Sequence, residues 1–215
     1  MSFFITNLWE NPFFFFSWVL FIVFSICCHE YMHARVALSE GDDTAAMAGY
    51  LTLNPVKQMG IFSLFMLALI GICWGCVPVN PANFRRKSSN LIVSLAGPVT
   101  NLSLAIIFFL VNLAVWGFAQ MLPTASEVIL QKLWLMFYYG TVMNLVLFFF
   151  NMLPVPGFDG WAMVRHFVSA EKINNSEFIK GASIVILLLA IHFMDNIYKF
   201  ADFLINLCYI LILGN

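Results

Sequence analysis

The sequence predicts an all-α, polytopic membrane protein: a helical bundle with a short β-strand or hairpin near residues 46–55 and one re-entrant segment. Of the 215 residues, 62% are hydrophobic and only 10% are charged, whereas soluble domains average roughly 45–50% apolar and about 25% charged residues. Long stretches without a charged side chain recur along the chain. The length allows about five membrane segments without an appended soluble domain, so we expect residues 1–215 to form a single domain.

Charge and cysteine content argue against several other classes of protein. Ten Lys and Arg against eleven Asp and Glu give a net charge of −1, without the dense basic patch that a nucleic-acid partner requires. The five cysteines are odd in number and are interpreted as buried apolar thiols rather than a disulfide framework. Cys73 and Cys76 have the spacing of a metal or redox motif, but a second such pair is missing.

Six charge-free stretches mark the candidate membrane elements, since a helix needs about 20 apolar residues to cross the bilayer. The first lacks the features of a cleaved signal peptide, so we expect it to be retained. The third and fourth are long enough to cross outright, and the last two predict two helices separated near Asp195 and Asn196. The stretches are residues 11–28, 58–84, 88–126, 133–158, 181–194 and 203–215.

Glycine, proline and alternation patterns place the irregular elements. The second stretch is interrupted by Gly71, Gly75 and Pro78, which is typical of a re-entrant segment. Alternating polar and apolar residues at 49–53 predict a short strand near the membrane surface. Two prolines and two glycines within residues 154–160 predict the end of the fourth helix, with a short helix restarting directly after them.

A metal-ligating pattern ends the first apolar helix, where His29, Glu30 and His33 form an HExxH sequence. Residues four apart share one helix face, so both imidazoles can bind one cation while Glu30 reaches a water bound to it. Ionisable groups within hydrocarbon cost about 2.5 kcal/mol or more each, which favours a functional role. A polar helix end that merely faces water is the alternative.

Two histidines leave a catalytic zinc site one ligand short, because such sites usually combine three protein ligands with an open position for water. His166 and His192 are isolated in the sequence and are interpreted as packed or interfacial side chains. Asp159 lies in the Pro/Gly-rich break, where irregular backbone is tolerated only inside protein or along a cavity. Its spacing is equally compatible with an Asp-Gly turn or a helix N-cap.

Five motifs then follow one another in a fixed order: HEYMHA, GDDTAAMAGYLTLNP, PVNPANF, AGPVTN and NMLPVPGFDG. Over residues 24–165 the chain resembles the site-2 protease family of intramembrane zinc metalloproteases. The resemblance implies a three-helix catalytic core within about residues 13–168. It also implies one Zn²⁺ per chain and cleavage of a transmembrane protein substrate.

The resemblance further implies roles for individual side chains. His29, His33 and Asp159 would be the zinc ligands, and Glu30 would be the catalytic carboxylate. Asn151 would line the cleft and hold the substrate backbone or the oxyanion.

Other positions differ from the family or have a structural interpretation. Asn101 and Asn144 are interpreted as interhelical hydrogen-bonding groups. Trp161 follows Gly160, where the family often has a second glycine. We expect neither a PDZ domain nor a nucleotide-sensing domain, which leaves substrate gating open.

A parity argument predicts the topology. Asp159 can meet the two histidines only if the chain crosses the membrane an even number of times between them, so residues 59–81 should enter and return. Eight of the ten Lys and Arg then share one face, which the positive-inside rule makes cytoplasmic. We therefore expect a multi-pass protein of the bacterial plasma membrane, with its N-terminus outside and its active site toward the cytoplasm.

Two rival functions stay open at the level of sequence. A transporter would use His29, His33 and Asp159 to coordinate a translocated cation, but it would favour inverted repeats and a midplane site, and the sequence shows neither. An inactive scaffold of the same fold would bind membrane partners without cutting them. The expected partners are a transmembrane substrate and the lipid bilayer, with a homo-oligomer left open.

Overall fold

The computed structural model describes residues 4–121, 127–168, 177–192 and 194–213. Three helices within this part are long and apolar enough to cross a membrane: α2, α6 and α7. These three also pack against one another, α6 along α7 and α2 against both. The α-helices described are, in chain order, α1 (Asn7–Glu10), α2 (Pro12–Ser39), α3 (Thr44–Met47), α4 (Pro55–Gln58), α5 (Gly60–Ile70), α6 (Ser89–Met121), α7 (Glu127–Asn151), α8 (Trp161–Phe167), α9 (Glu177–His192) and α10 (Met194–Leu213).

Helix α2 begins with a strong local signal. The Asn11 side chain accepts a hydrogen bond from Phe14 N at 3.1 Å, and Pro12 takes the first helical position, where its missing N–H costs nothing. The helix has 28 residues, a length of about 42 Å at a rise of about 1.5 Å per residue. Its buried face runs from Phe15 to Ala37 and carries the HExxH residues in its C-terminal half.

The strand expected within residues 46–55 is absent, and that prediction was wrong. The chain forms the short helices α3 and α4 instead. Gln58 explains the difference, because its side-chain amide donates to the carbonyls of Tyr50 at 2.9 Å and Thr52 at 2.6 Å. Asn54 caps α4 by accepting from Val56 N at 2.9 Å. Side chains thus satisfy backbone groups that a partner strand would otherwise bind.

The chain reverses direction after α5, at Gly71. This glycine has a φ of +79° and ends α5 in the left-handed conformation. An extended return segment, residues 72–80, then runs back along α5: Cys76 N donates to Gln58 O at 3.1 Å, and the Ser63 hydroxyl bonds both Trp74 N and Trp74 O. With 11 residues, α5 is about 16 Å long, half of the hydrocarbon thickness.

The reversal agrees with the turn predicted at Gly71, and the entry of this segment into the membrane stays a prediction. Because α5 and the return segment go out and back, α6 and α7 are the two helices of spanning length between the end of α2 and the end of α7. The two ends therefore lie on the same side of the bundle, as the parity argument requires.

The end of α2 is tied to the start of α6 by Glu40. Its carboxylate accepts hydrogen bonds from the Arg86 guanidinium and from the Ser89 hydroxyl, the latter at 2.5 Å. These hydrogen bonds, first from Ser89 and then from Arg86, lower the pKa of Glu40. The Glu40 carboxylate thus links the C-terminal end of α2 to the N-terminal end of α6.

Asp42 makes a second connection between the same regions. Its buried carboxylate accepts from the Thr44 hydroxyl at 2.5 Å, Asn80 N at 2.7 Å and the Asn83 side chain at 2.9 Å. Burial raises the pKa of Asp42, but these hydrogen bonds outweigh it and the net pKa is lowered. The return segment is therefore fixed at its end by a carboxylate of the α2–α3 turn.

The C-terminal part agrees with the predicted breaks. Helix α7 ends at Asn151, and the short helix α8 restarts at Trp161 as expected. Helix α9 ends at His192 and α10 begins at Met194, next to the break predicted at Asp195 and Asn196. Helix α10 packs against α7. Three of the five predicted membrane segments thus meet the length and hydropathy of a spanning helix, and the crossing of the other two stays a prediction.

All five cysteines are free thiols in the structure. Their predicted burial holds for Cys27, whereas Cys28 and Cys73 are half-buried and Cys76 and Cys208 are exposed. The prediction of burial was wrong for Cys76 and Cys208, because an apolar stretch can also line a cavity, as at Cys76, or lie on the surface of the bundle, as at Cys208.

Candidate metal centre

The two histidines of the HExxH sequence meet Asp159 in the structure. His29 Nε2 and His33 Nε2 lie 2.9 Å apart, one turn from each other on α2. Asp159 Oδ2 lies 3.1 Å from His29 Nε2, and Asp159 Oδ1 lies 3.3 Å from His33 Nε2. The ligand-type atoms of all three residues fall within 4.8 Å of one another. The convergence that the parity argument demands is therefore present.

A tight turn after α7 brings Asp159 to α2. Gly160 N donates to Asn151 O at 2.8 Å, and a Cβ at Gly160 would overlap the carbonyl of Met152, so only glycine allows this close approach. Helix α8 has no side-chain N-cap. The N-cap alternative for Asp159 is thus wrong, because its carboxylate faces the imidazoles.

Hydrogen bonds on the far side of each ring fix the tautomers of the histidines. His29 Nδ1 donates to Asn101 Oδ1 at 2.6 Å, and His33 Nδ1 donates to Val93 O at 2.7 Å. Both partners are oxygens that can only accept, so in the neutral imidazoles the proton lies on Nδ1 and Nε2 presents the lone pair. Neutral histidines in this orientation are ready to bind a metal.

A relay of buried side chains extends from His29 through all three membrane helices. Asn101 donates to Asn144 Oδ1 at 3.1 Å, and Asn144 donates to the Ser25 hydroxyl at 2.8 Å. Asn101, Asn144 and Ser25 are all fully buried. The predicted interhelical role of the two asparagines is confirmed. Ser25 had no individual signal in the sequence beyond being polar in an apolar run.

The donor set fits a divalent cation. Two lone pairs at 2.9 Å repel each other unless a positive charge lies between them, and a carboxylate completes the group. Asp159 Oδ2 is buried without a hydrogen bond, although it lies at ion-pair distance from His29. A Cβ at Gly97 would overlap Nε2 of both His29 and His33, so glycine keeps this space open. Two histidines and a carboxylate with an open position are typical of catalytic zinc.

Glu30 lies beside this group at the wall of a cavity. The side chain is buried, and a Cβ at Gly75 would overlap its carboxylate, so the return segment passes directly against Glu30. The cavity has a volume of about 600 Å³ and is lined by the three ligand-type residues, Glu30, Asn151 and most of the return segment. We call it the central cavity.

The remaining histidines lie elsewhere. His166 and His192 are exposed, and neither belongs to the three-residue group found among the described residues. His166 is therefore not a packed core histidine. Gly97 and the carbonyl of Val93 were not singled out from the sequence, although Gly97 lies within the AGPVTN motif.

Comparison with known proteins identifies the family. The model of peptidase family M50 matches residues 17–193. The chain belongs to this family, which is the site-2 protease family. No solved structure gives a significant match to the chain.

Three relatives are each named "Putative zinc metalloprotease", followed by their own designations. YwhC of Bacillus subtilis is 38% identical over 156 residues, covering 70% of this chain and 68% of the relative. Rip2 of Mycolicibacterium smegmatis is 34% identical over 195 residues, covering 83% of this chain and 70% of the relative. MJ0611 of Methanocaldococcus jannaschii is 30% identical over 143 residues, covering 64% of this chain and 63% of the relative.

Membership of family M50 makes this chain a zinc metalloprotease. Its three apolar spanning helices make it a multi-pass membrane protein. The family implies zinc, and the group of His29, His33 and Asp159 is able to hold such an ion.

Proposed function

We propose that this protein hydrolyses a peptide bond in or near a transmembrane segment of a membrane-protein substrate, with one zinc ion per chain bound by His29, His33 and Asp159. The convergence of these three side chains carries the proposal: the two buried histidines lie in the C-terminal half of α2 beside the buried Glu30, and Asp159 reaches them from the turn after α7. An isolated polar helix end would not recruit a carboxylate from beyond α7.

Glu30 is the proposed general base and acid. Zinc, when bound there, polarises the scissile carbonyl and lowers the pKa of a coordinated water to about 7. Glu30 takes the proton from the attacking water and passes it to the leaving amine. Glu30 is buried at the wall of the central cavity, and Asn101 and Val93 keep the two imidazoles oriented through their Nδ1 protons.

The return segment is the proposed contact for an extended substrate. A helical substrate hides its carbonyls in internal hydrogen bonds and must unwind before it is cut. Trp74 and Cys76 direct their backbone N–H groups toward Ser63 of α5 and Gln58 of α4. The alternate residues Cys73, Gly75 and Val77 therefore present theirs to the opposite edge. These residues line the central cavity, where a substrate strand would add to that edge. Asn151, on the same cavity, would hold the substrate backbone or the oxyanion.

The distribution of basic side chains supports an active site on the cytoplasmic face. Arg35, Lys57 and the cluster at residues 85–87 lie at the end of the bundle where α2 ends and α6 begins. Lys132 lies at the opposite end, with its ammonium 5.9 Å from the Phe13 ring centroid. Under the positive-inside rule, the first end is cytoplasmic. Thiol labelling of a cysteine introduced at Lys57 in intact cells tests this orientation, and labelling from outside would reverse it.

Replacement of Glu30 by Gln tests the catalytic proposal. In purified, reconstituted protein, Glu30→Gln should abolish cleavage of a transmembrane substrate while bound zinc stays at the wild-type level. A transporter would keep transport with this variant, and a scaffold would show no phenotype. Glu127→Gln, at the exposed start of α7, is the matched control and should cleave normally. Unchanged cleavage by Glu30→Gln would remove Glu30 from its role.

Metal analysis tests the ligand set separately. Zinc bound to wild-type protein should approach one ion per chain and should vanish in His29→Ala. His166→Ala removes an exposed histidine outside the group and should retain the ion. Equal zinc content in His29→Ala and wild type would contradict the proposed ligands.

A further inference from the structure

A second cavity opens on the face of the molecule where the basic side chains cluster. Its volume is about 630 Å³. Four of the ten Lys and Arg of the chain line it, together with His166. We call it the basic cavity; its cationic lining residues are Arg85, Arg86, Lys87 and Arg165.

The positive charge of the basic cavity is not balanced by the described residues. Arg86 pairs with Glu40, and the other three cations have no carboxylate partner in the described part of the chain. One carboxylate against four cations leaves an excess of three positive charges. The positive-inside rule explains on which side of the membrane such residues lie. It does not explain why the loop before α6 and helix α8 bring these four cations together in one cavity.

Two of the arginines are held in place by the end of α2. Arg85 N donates to Glu40 O at 3.0 Å, and the side chain of Arg85 passes so close to Gly41 that a Cβ there would lie 2.8 Å from its Cγ. Arg86 is fixed by its bonds to the Glu40 carboxylate. These two arginines are thus preorganised, which lowers the entropic cost of binding an anion.

Apolar side chains border the same cavity. Phe84 and Leu91 form part of its lining. On the flanking elements Phe167 is 78% exposed, Ile92 38% and Met163 37%. Cations beside exposed apolar side chains at a membrane surface match an amphiphile with an anionic headgroup better than a free anion.

We propose that the basic cavity binds the phosphate-bearing headgroup of an anionic phospholipid, with its acyl chains against the apolar border. Basic pockets between membrane helices on the cytoplasmic side are suited to such headgroups. The proposal uses the membrane orientation of the proposed function but not its chemistry. Pro81 and Asn90 line both the basic cavity and the central cavity, so the bound lipid lies directly beside the proposed substrate cleft.

Native mass spectrometry of the full chain in nonionic detergent tests the site. Phosphatidylglycerol and phosphatidylcholine with identical acyl chains are titrated in parallel, and inorganic phosphate is added as a competitor. The inactive Glu30→Gln protein is used as well, so that lipid binding is scored independently of proteolysis. The test variant is Arg85→Gln/Arg165→Gln, and Lys57→Gln, on the same face but outside the cavity, is the matched control.

Wild type should retain phosphatidylglycerol in preference to phosphatidylcholine. The double variant should bind phosphatidylglycerol about tenfold more weakly, since each cation near an anionic lipid contributes several-fold, and Lys57→Gln should change it less than about twofold. If the double variant does not fold, Arg165→Gln alone must shift binding in the same direction. Equal retention of the two lipids, or equal losses in Lys57→Gln and the test variant, would overturn the site. Displacement of the lipid by equimolar phosphate would show a free-anion site instead.

Discussion

Buried asparagines occur in both halves of the α6–α7 interface, the half near the end of α2 and the half far from it, but they make different contacts there. In the half near α2's end, Asn101 bonds both His29 and Asn144. In the far half, Asn112 is equally buried but donates only to Trp134 O, and its Oδ1 has no hydrogen-bond partner among the described residues. The near half is a connected polar network, whereas the far half has one hydrogen bond that joins two helices.

The glycines of α6 repeat the contrast. Gly97 lies against the imidazoles, while a Cβ at Gly117 would meet nothing within 4 Å. Polarity and small size in a membrane helix are therefore not functional signals by themselves. What distinguishes Asn101 and Asn144 in the near half is that their hydrogen bonds form a chain that leads to His29 of the metal centre.

The largest effect is expected from Gly97→Ala, compared with Gly117→Ala. The new methyl group at residue 97 would occupy the space beside both Nε2 atoms, so bound zinc and proteolysis should both fall to background. Alanine at residue 117 enters open space and should leave both unchanged. Zinc content by mass spectrometry together with a cleavage assay checks the pair, and equal zinc in the two variants would break the comparison.

Gly75→Ala should separate catalysis from metal binding. The added Cβ would displace the Glu30 carboxylate without reaching the imidazoles, so kcat should fall about 10²-fold or more at normal zinc content. The measurements are single-substrate kinetics and metal analysis on one preparation. A kcat within a few-fold of wild type would mean that the return segment can move aside.

Asn101→Leu and Asn112→Leu test the two networks directly. Loss of Asn101 leaves His29 Nδ1 without its acceptor, and zinc affinity should drop about 10- to 100-fold. Asn112→Leu removes a bond that supports no ligand, so zinc affinity should be unchanged. Competition with a zinc chelator measures both. A matching loss of affinity in Asn112→Leu would show that the far half also acts on the metal centre.

The smallest effect concerns the carboxylates at the membrane surface rather than the buried networks. The pKa of Asp42 is lowered in the folded protein, so its contribution is complete above its unfolded pKa of about 3.9 and is lost as pH falls through the lower, folded value. The Tm of wild type should therefore fall as the buffer is acidified below about pH 4.

Asp42→Asn should flatten part of this decline, because the amide does not titrate. Asp43→Asn replaces the exposed neighbour and should keep the wild-type profile. Thermal unfolding in detergent, measured across the acid range, distinguishes the variants. Identical profiles for Asp42→Asn and wild type would exclude Asp42 as a source of the pH dependence.

The features that the sequence predicted well are those set by strong local physics or by motif order. Hydropathy located α2, α6 and α7, and helical spacing placed His29 and His33 on one face. Spacing alone left the role of Asp159 undecided between a metal ligand and a turn or N-cap residue. The resemblance implied the position beside the two histidines that the structure shows.

Features that depend on which residues meet in the folded structure were not predictable from the sequence. The alternation at residues 49–53 resembled a strand, but the distant amide of Gln58 satisfies its carbonyls. The acceptor for His33 is the backbone carbonyl of Val93, which has no side-chain signature. Hydropathy does not distinguish a packed side chain from one that lines a cavity or lies on the bundle surface, and so misplaced the exposed Cys76 and Cys208.

The position of Asp159 gives the metal a mechanical role as well. An ion shared by α2 and the turn after α7 would tether two points that lie two membrane crossings apart along the chain. Such a tether restricts the conformations of the chain between its two ends, because closing a loop costs conformational entropy. Chelation would free the turn and α8 first, while the packing of the three long helices against one another continues to hold the rest together.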